Sequence, residues 1–315
     1  MVYTEEELSV LCPTEDNESV PDRPEDIKPR FARSSKSGGQ SSSGGGGGDD
    51  DDDDDDDDDG GGFSDNTEWN LRKCAAFSLD MLAGVFRDRL LPPLLPLLTQ
   101  KLGPEVPWPV RESAILAFGA IASGCYNGLL PDLGGLIQFL VQQLEAPQAL
   151  IRSIACWSIS QYSRWIVEKE NEDTYFKPIL LQLLGRMLDH NKRVQEAACS
   201  AFATLEEEAH RLLIPLLDPI VATICQAFRK YQAKNLLILY DAIGTLADCV
   251  QGELAKPNYT STLLPLLLEK WEETPDSDRS LLPLIECLGS VASALRIEFQ
   301  VSIYLLDLDL HSLTH

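Results

Sequence analysis

The sequence predicts an all-α solenoid, an elongated right-handed superhelix of paired antiparallel helices, and two observations carry that expectation. Apolar helical stretches open on the same pattern at Leu71-Arg72, Val110-Arg111 and Ile151-Arg152, at intervals of 39 and 41 residues. Val194 and the Asn235-Leu236 pair extend the series. Breaks then fall between the stretches, at Gly103-Pro104, Asn127-Gly128, Pro147, Asp189-His190-Asn191 and Pro275-Asp276, where Gly, Pro, Asn and Asp punctuate helices. A period of roughly 40–47 residues is that of two-helix repeats of the HEAT type. Each such unit buries its apolar side only against its neighbours, and the array leaves a long wall better suited to binding than to catalysis.

The elements follow in order. Residues 1–12, with Tyr3, Leu8, Val10 and Leu11, read as the end of a helix from a preceding repeat. Residues 13–67 turn to Pro, Ser, Gly and Asp and read as a disordered acidic loop; a coil of ~50 residues has a root-mean-square span of roughly 40 Å. Residues 68–296 form the solenoid. Its outer first helices are expected near 90–102, 130–145, 174–189, 211–230 and 259–273, its inner second helices near 68–86, 110–124, 149–167, 191–208, 234–250 and 278–295. Residues 297–315 lose the repeat pattern and read as an irregular tail.

Composition narrows the function. The chain has 315 residues, 44% of them apolar, and a formal charge of −24. The uninterrupted run Asp49, Asp50, Asp51, Asp52, Asp53, Asp54, Asp55, Asp56, Asp57, Asp58, Asp59 carries 11 of those charges and leaves −13 on the rest. Such a surface repels nucleic acid and anionic lipid and attracts basic protein segments through a field that salt screens. Eight cysteines without a CxxC pair read as reduced core thiols. No signal-peptide pattern opens the chain and no apolar run is long enough to span a membrane, so a cytosolic or nuclear setting is expected. Asn258-Tyr259-Thr260 fits a glycosylation sequon but reads as a helix start.

With Leu71, Val110, Ile151, Val194 and Asn235 as equivalent starts, offsets of three, six, ten and thirteen residues fall on one side of each inner helix. Offset six reads Phe77, Leu116, Trp157, Ser200, Asp241; offset ten reads Met81, Ala120, Gln161, Thr204, Thr245; offset thirteen includes Glu207 and Asp248, and Ile154 lies at offset three. The stripe is thus apolar in its early repeats and acidic in its later ones, which suits a ligand with one apolar or aromatic end and one basic end. Trp157 reads equally as a core side chain, Glu206-Glu207-Glu208 and Asp248 as solvated helix ends, and the aspartate run as a solubilising spacer.

Catalysis has little to stand on. The sequence has no GxSxG, HExxH or GxxxxGK[ST] motif, and its four histidines, His190, His210, His311 and His315, lie in turns, at a helix end or in the tail. No cofactor and no metal site is expected; a flexible aspartate run lacks the fixed oxygen geometry of a calcium loop. Two other binding roles remain open at this level: a HEAT scaffold for protein assembly, and an acidic chaperone for basic proteins such as histones.

Longer strings sharpen the reading. Asn191 to Ala209, NKRVQEAACSAFATLEEEA, and Lys234 to Asp248, KNLLILYDAIGTLAD, resemble the transportin (karyopherin-β2) family of nuclear import receptors. Asp26-Ile27, Pro29-Arg30-Phe31, Trp69 to Cys74, Val85 to Asp88, Tyr175 and Lys177-Pro178 add to the likeness, which covers roughly residues 1–296. The resemblance implies binding of basic, disordered nuclear localisation signals that end in a Pro-Tyr pair. It places the Pro-Tyr pocket at Asp80, Leu116, Ala120, Ile154 and Trp157, and the contacts to the basic segment at Glu207, Asp241 and Asp248. It further implies Ran-GTP and nucleoporins as partners, shuttling between cytoplasm and nucleus, and a role for the acidic loop in coupling Ran-GTP binding to cargo release. A tethered polyanion would be repelled by a carboxylate-lined wall, so simple occupancy does not follow from charge. Phe77 stands where the family has a small alanine and Gln161 where it has an arginine. The chain reads as a central fragment, without the amino-terminal Ran-binding repeats and without the carboxy-terminal repeats that hold the other end of the signal.

Overall fold

The computed structural model describes residues 1–11, 16–22, 71–103 and 105–301, and every regular element among them is helical. After α1 (Glu5–Leu11), the helix α2 (Leu71–Phe86) stands as the second helix of its repeat. The pairs that follow are α3 (Leu91–Lys101) with α4 (Trp108–Ala120), α6 (Leu133–Gln143) with α7 (Ala149–Ser160) and α9 (Lys177–Met187) with α10 (Lys192–Ala209). α11 (Leu217–Lys230) pairs with α12 (Ala233–Val250), and α13 (Pro257–Glu273) with α14 (Leu281–Leu295); two single turns, α5 (Tyr126–Leu129) and α8 (Ser163–Ile166), sit in the connections. Second helices stack on one another in sequence, α2 on α4, α4 on α7, α7 on α10, α10 on α12 and α12 on α14, while α9, α11 and α13 form the other layer. This is the expected two-layer solenoid; most helix bounds lie within a few residues of the expectation, but α7 stops at Ser160 where 167 was expected and α11 starts at Leu217 where 211 was, separate turns taking up the difference.

Local chemistry explains the elements. Pro92, Pro93, Pro109, Pro178 and Pro257 sit in first turns, where a missing N–H costs nothing. In α11 the buried Leu217, Ile220, Val221, Ile224, Ala227 and Phe228 trace one stripe. The stretch Lys192–Lys230 is long and apolar enough by composition to cross a membrane. Here it is folded into α10, a 3-10 turn at His210–Leu216 and α11, whose apolar stripes lie in the core.

The dipeptide echo marks a buried polar ladder along the starts of the second helices. Arg72 pairs with Glu112, both buried. Arg152 donates to both oxygens of Asp189, at 3.0 and 2.9 Å, and to the carbonyls of Ala146 and Pro147. Farther along, amides replace the charges: Gln195 donates to Asp189 O at 2.7 Å, and Asn235 donates to Lys192 O and to Gln195 Oε1. Tyrosines repeat in the same way, Tyr162 donating to Phe118 O and Tyr231 to Met187 O, both at 2.7 Å. Buried polar side chains of neighbouring repeats thereby partner one another across the stack, although Glu112 Oε2 and Asn235 Oδ1 are buried without a hydrogen bond.

The second helices α2, α10, α12 and α14 end on non-glycine residues with positive φ: Arg87 (51°), His210 (44°), Gln251 (47°) and Arg296 (56°). After Arg296 the helix resumes over residues 297–301, where an irregular tail was expected. Another difference concerns residues 16–22, expected within the disordered loop. They lie across the starts of α10 and α12: Asn17 and Glu18 donate their N–H groups to His190 O, and Asp22 Oδ2 accepts from Lys234 N at 2.9 Å. Of the cysteines, Cys125, Cys156, Cys199 and Cys287 are buried, as expected of core thiols, and burial pushes Cys156 up to about 12. Cys74 is exposed instead.

Candidate functional site

The two halves of the stripe differ in the structure. On α2, Phe77 and Met81 are 55% and 53% exposed, and Asp80 beside them is also exposed. From Glu112 on α4 to Ala122 just beyond its end every residue is buried, Leu116 completely. Ala120, Ile154 and Trp157 retain only 7–9% exposure. The indole of Trp157 lies over Gly119 of α4, so close that a Cβ at Gly119 would stand 2.2 Å from its ring. The open apolar wall expected from Leu116 to Trp157 is therefore a covered one, and the core reading of Trp157 is the one the packing favours. Glycine at 119 admits the ring.

The acidic half is open. Glu207 near the end of α10, and Asp241 and Asp248 on α12, are all exposed. Asp248 accepts a hydrogen bond of 3.3 Å from Ser290 on α14. Beneath them lies a residue the sequence reading placed in solvent. Glu206 is completely buried between the second helices, and neither of its carboxyl oxygens has a hydrogen-bond partner. Burial, with like charge from Asp241 and Glu207, pushes its pKa far above the ordinary carboxylate value. Its protonated form is favoured over the charged one. Its position was legible, since Phe202, Leu205, Glu206 and Ala209 share the i, i+3, i+4, i+7 stripe that faces the core.

Among the described residues no cluster of His, Cys, Asp and Glu is arranged to hold a metal ion. Of the histidines, His190 Nδ1 lies 3.0 Å from Glu18 Oε1 in the 16–22 segment, His210 is a helix-ending residue, and His311 and His315 lie outside the described residues. The run Asp49–Asp59 lies outside them as well.

Comparison with known proteins places the chain. Residues 108–162 match the HEAT-like repeat family. The chain is 53% identical over 300 residues to Transportin-1 of Homo sapiens, an alignment that takes in 95% of this chain and 33% of that protein. Transportin of Dictyostelium discoideum is 48% identical across 94% of this chain and 35% of its own length. The chain thus spans about a third of the length of these curated relatives. Among solved structures, the karyopherin Kap121p bound to Pho4p superposes with a TM-score of 0.66 at 22% identity, over 78% of this chain and 24% of that one, a likeness of fold. The shared repeat, the identity along nearly the whole chain and the solenoid agree, and the chain belongs to the transportin and importin-β family of karyopherins.

Proposed function

We propose that this chain is the cargo-binding part of a nuclear import receptor, taking basic disordered segments that end in Pro-Tyr along its row of second helices. The observation that carries the reading is the polarity of that row: exposed Glu207, Asp241 and Asp248 at one end, exposed Phe77 and Met81 beside Asp80 at the other. Carboxylates that stay in solvent would accept charge-assisted bonds from Arg or Lys. Each exposed pair contributes about 0.2–1 kcal/mol, so several must act along one peptide. Leu116, Ala120, Ile154 and Trp157 take part in a Pro-Tyr pocket only where their cover moves aside, which makes this end of the site the one that must rearrange. Family membership supports shuttling between cytoplasm and nucleus, with Ran-GTP and nucleoporins as further partners and Asp49–Asp59 as the regulatory segment.

The test is a fluorescence anisotropy titration of a basic peptide ending in Pro-Tyr against the chain, with an Ala-Ala control and with the triple variant Glu207→Gln, Asp241→Asn, Asp248→Asn. Weaker binding in both controls is expected, by about 0.6–3 kcal/mol for the triple variant if its losses add. Equal binding of the two peptides removes the Pro-Tyr pocket, and indifference to the triple variant removes the acidic contacts. An acidic chaperone would instead lose its basic partners when residues 49–59 are deleted, whereas an import receptor would keep them.

A further inference from the structure

The starts of α10 and α12 carry positive charge where a helix is least suited to it. Lys192 and Arg193 open α10, and Lys234 lies in the first turn of α12, although the helix macrodipole already makes that end positive. Residues 16–22 lie across both starts. Asn17 Oδ1 accepts from Lys192 N at 2.8 Å, and Asp22 Oδ2 accepts from Lys234 N at 2.9 Å. The Gln232 side chain at the head of α12 makes no cap bond to its own helix. It reads the segment's backbone instead, donating to Glu18 O at 2.7 Å and accepting from Asp22 N at 2.9 Å. Glu18 reaches Lys230 Nζ at 2.7 Å and His190 Nδ1 at 3.0 Å, and Lys192 Nζ pairs with Asp22 and with Val20 O. Backbone pairing by a receptor side chain, helix-end capture of carboxylates and a set of lysines are together the elements of peptide recognition. They come from parts of the chain some 170 residues and more apart.

We propose that the edge formed by the starts of α10 and α12 is a binding site for short acidic segments that carry a turn, as residues 17–20 do through Val20 N–H to Asn17 O at 3.0 Å, and that residues 16–22 fill it in cis as a releasable strap. The edge is opposite in sign to the acidic wall farther along the same helices. Its ligand is a peptide with an amide or carboxylate, then a carboxylate at the start of a turn, then an aspartate four residues on, the spacing of Asn17, Glu18 and Asp22.

The test uses the full chain and a fluorescein-labelled peptide of the sequence Asp16–Asp22. In the strap variant Asn17→Ala, Glu18→Gln, Asp22→Asn the edge stands open and the peptide binds in trans, more weakly as salt rises. The intact chain binds it at least about tenfold more weakly, because a tethered copy competes at an effective concentration on the order of millimolar. Adding Lys192→Ala and Lys230→Ala to the strap variant abolishes binding. Peptide binding to neither chain, equal binding to both, or indifference to the lysine changes would each overturn the proposal. If the triple variant does not fold, Asp22→Ala alone decides: hydrogen exchange at the Lys234 amide accelerates by about fivefold on loss of the capping oxygen, and unchanged exchange overturns the proposal.

Discussion

Glu206 allows a sharp test of the buried side of the acidic wall. The perturbation is Glu206→Met, which keeps an unbranched side chain of similar length and removes both carboxyl oxygens. In the structure that carboxyl is fully enclosed and unpartnered, a desolvation cost of about 1–3 kcal/mol that methionine does not carry. Its folded-state pKa is raised by burial, then by Asp241 and Glu207. The folded chain thus holds a proton that the unfolded chain releases near the ordinary value of 4.5. The stability linked to it is complete below that value and is lost as pH rises toward the folded pKa, at up to about 1.4 kcal/mol per pH unit. Glu112 obeys the same sign, but burial lifts it only to about 7 against the pull of Arg72, so its part ends there. Cys156, Cys199 and Cys287, raised from 9.0, add their own slope only in more alkaline solution. Those groups are common to both chains, so between about pH 5 and about pH 8 the difference in slope between wild type and variant belongs to Glu206. Urea denaturation at half-unit steps across that interval is the assay. The variant is expected to be the more stable chain and to lose less stability with rising pH. Superimposable pH profiles, or a variant less stable at pH 8, would refute the argument.

Arg152→Met should destabilise the chain by about 1–3 kcal/mol, because it removes two charge-assisted bonds from the buried Asp189, which keeps Arg186 at 3.2 Å and the Asn191 N–H, and denaturant midpoints will show it. His210→Gly and Gln251→Gly should each raise the thermal midpoint, relieving about 1 kcal/mol held at φ 44° and 47°. Gly119→Ala ordinarily favours a helix, but here its Cβ meets the Trp157 ring at 2.2 Å. A net loss of about 1–3 kcal/mol is expected, with a shift in tryptophan emission as the indole is displaced.

The repeat register was legible because periodicity survives in any sequence that must bury one stripe per helix, and the starts at Leu71, Val110, Ile151, Val194 and Asn235 all lie at or near the heads of second helices. What those starts do was not legible. Arg152 needs Asp189, 37 residues on, and Asn235 needs Gln195, 40 residues back, pairings that only stacking reveals. Offset counting assigned Leu116 and Trp157 to an open face because it fixes the side of a helix but not what covers it. The same counting applied to Glu206 would have placed it in the core beside Phe202 and Leu205; the run of three glutamates drew the reading toward solvent. The seat of residues 16–22 left one trace in the sequence, lysines at the wrong end of two helices, which acquires meaning only once Asp22 is found against Lys234.

Both ends of these helices are charged against their own dipoles. Cations stand at the starts of α10 and α12, and acids stand at their ends: Glu207 and Glu208 in the last turn of α10, Asp248 in the last turn of α12. Each exposed charge so placed costs about 0.3–1 kcal/mol, so no gain within the helix accounts for either set. At the starts the compensation is visible in Glu18 and Asp22. At the ends Asp248 has, among the described residues, only a neutral donor, Ser290, at 3.3 Å, and a cation brought by a partner would complete the match. Glu207→Gln and Asp248→Asn should therefore stabilise the chain by a few tenths of a kcal/mol each while weakening its hold on a basic peptide. Thermal melts and the anisotropy titration measure the two effects on the same samples. Loss of stability together with unchanged peptide affinity would mean that these carboxylates serve the fold, and the acidic end of the row would cease to be a binding surface.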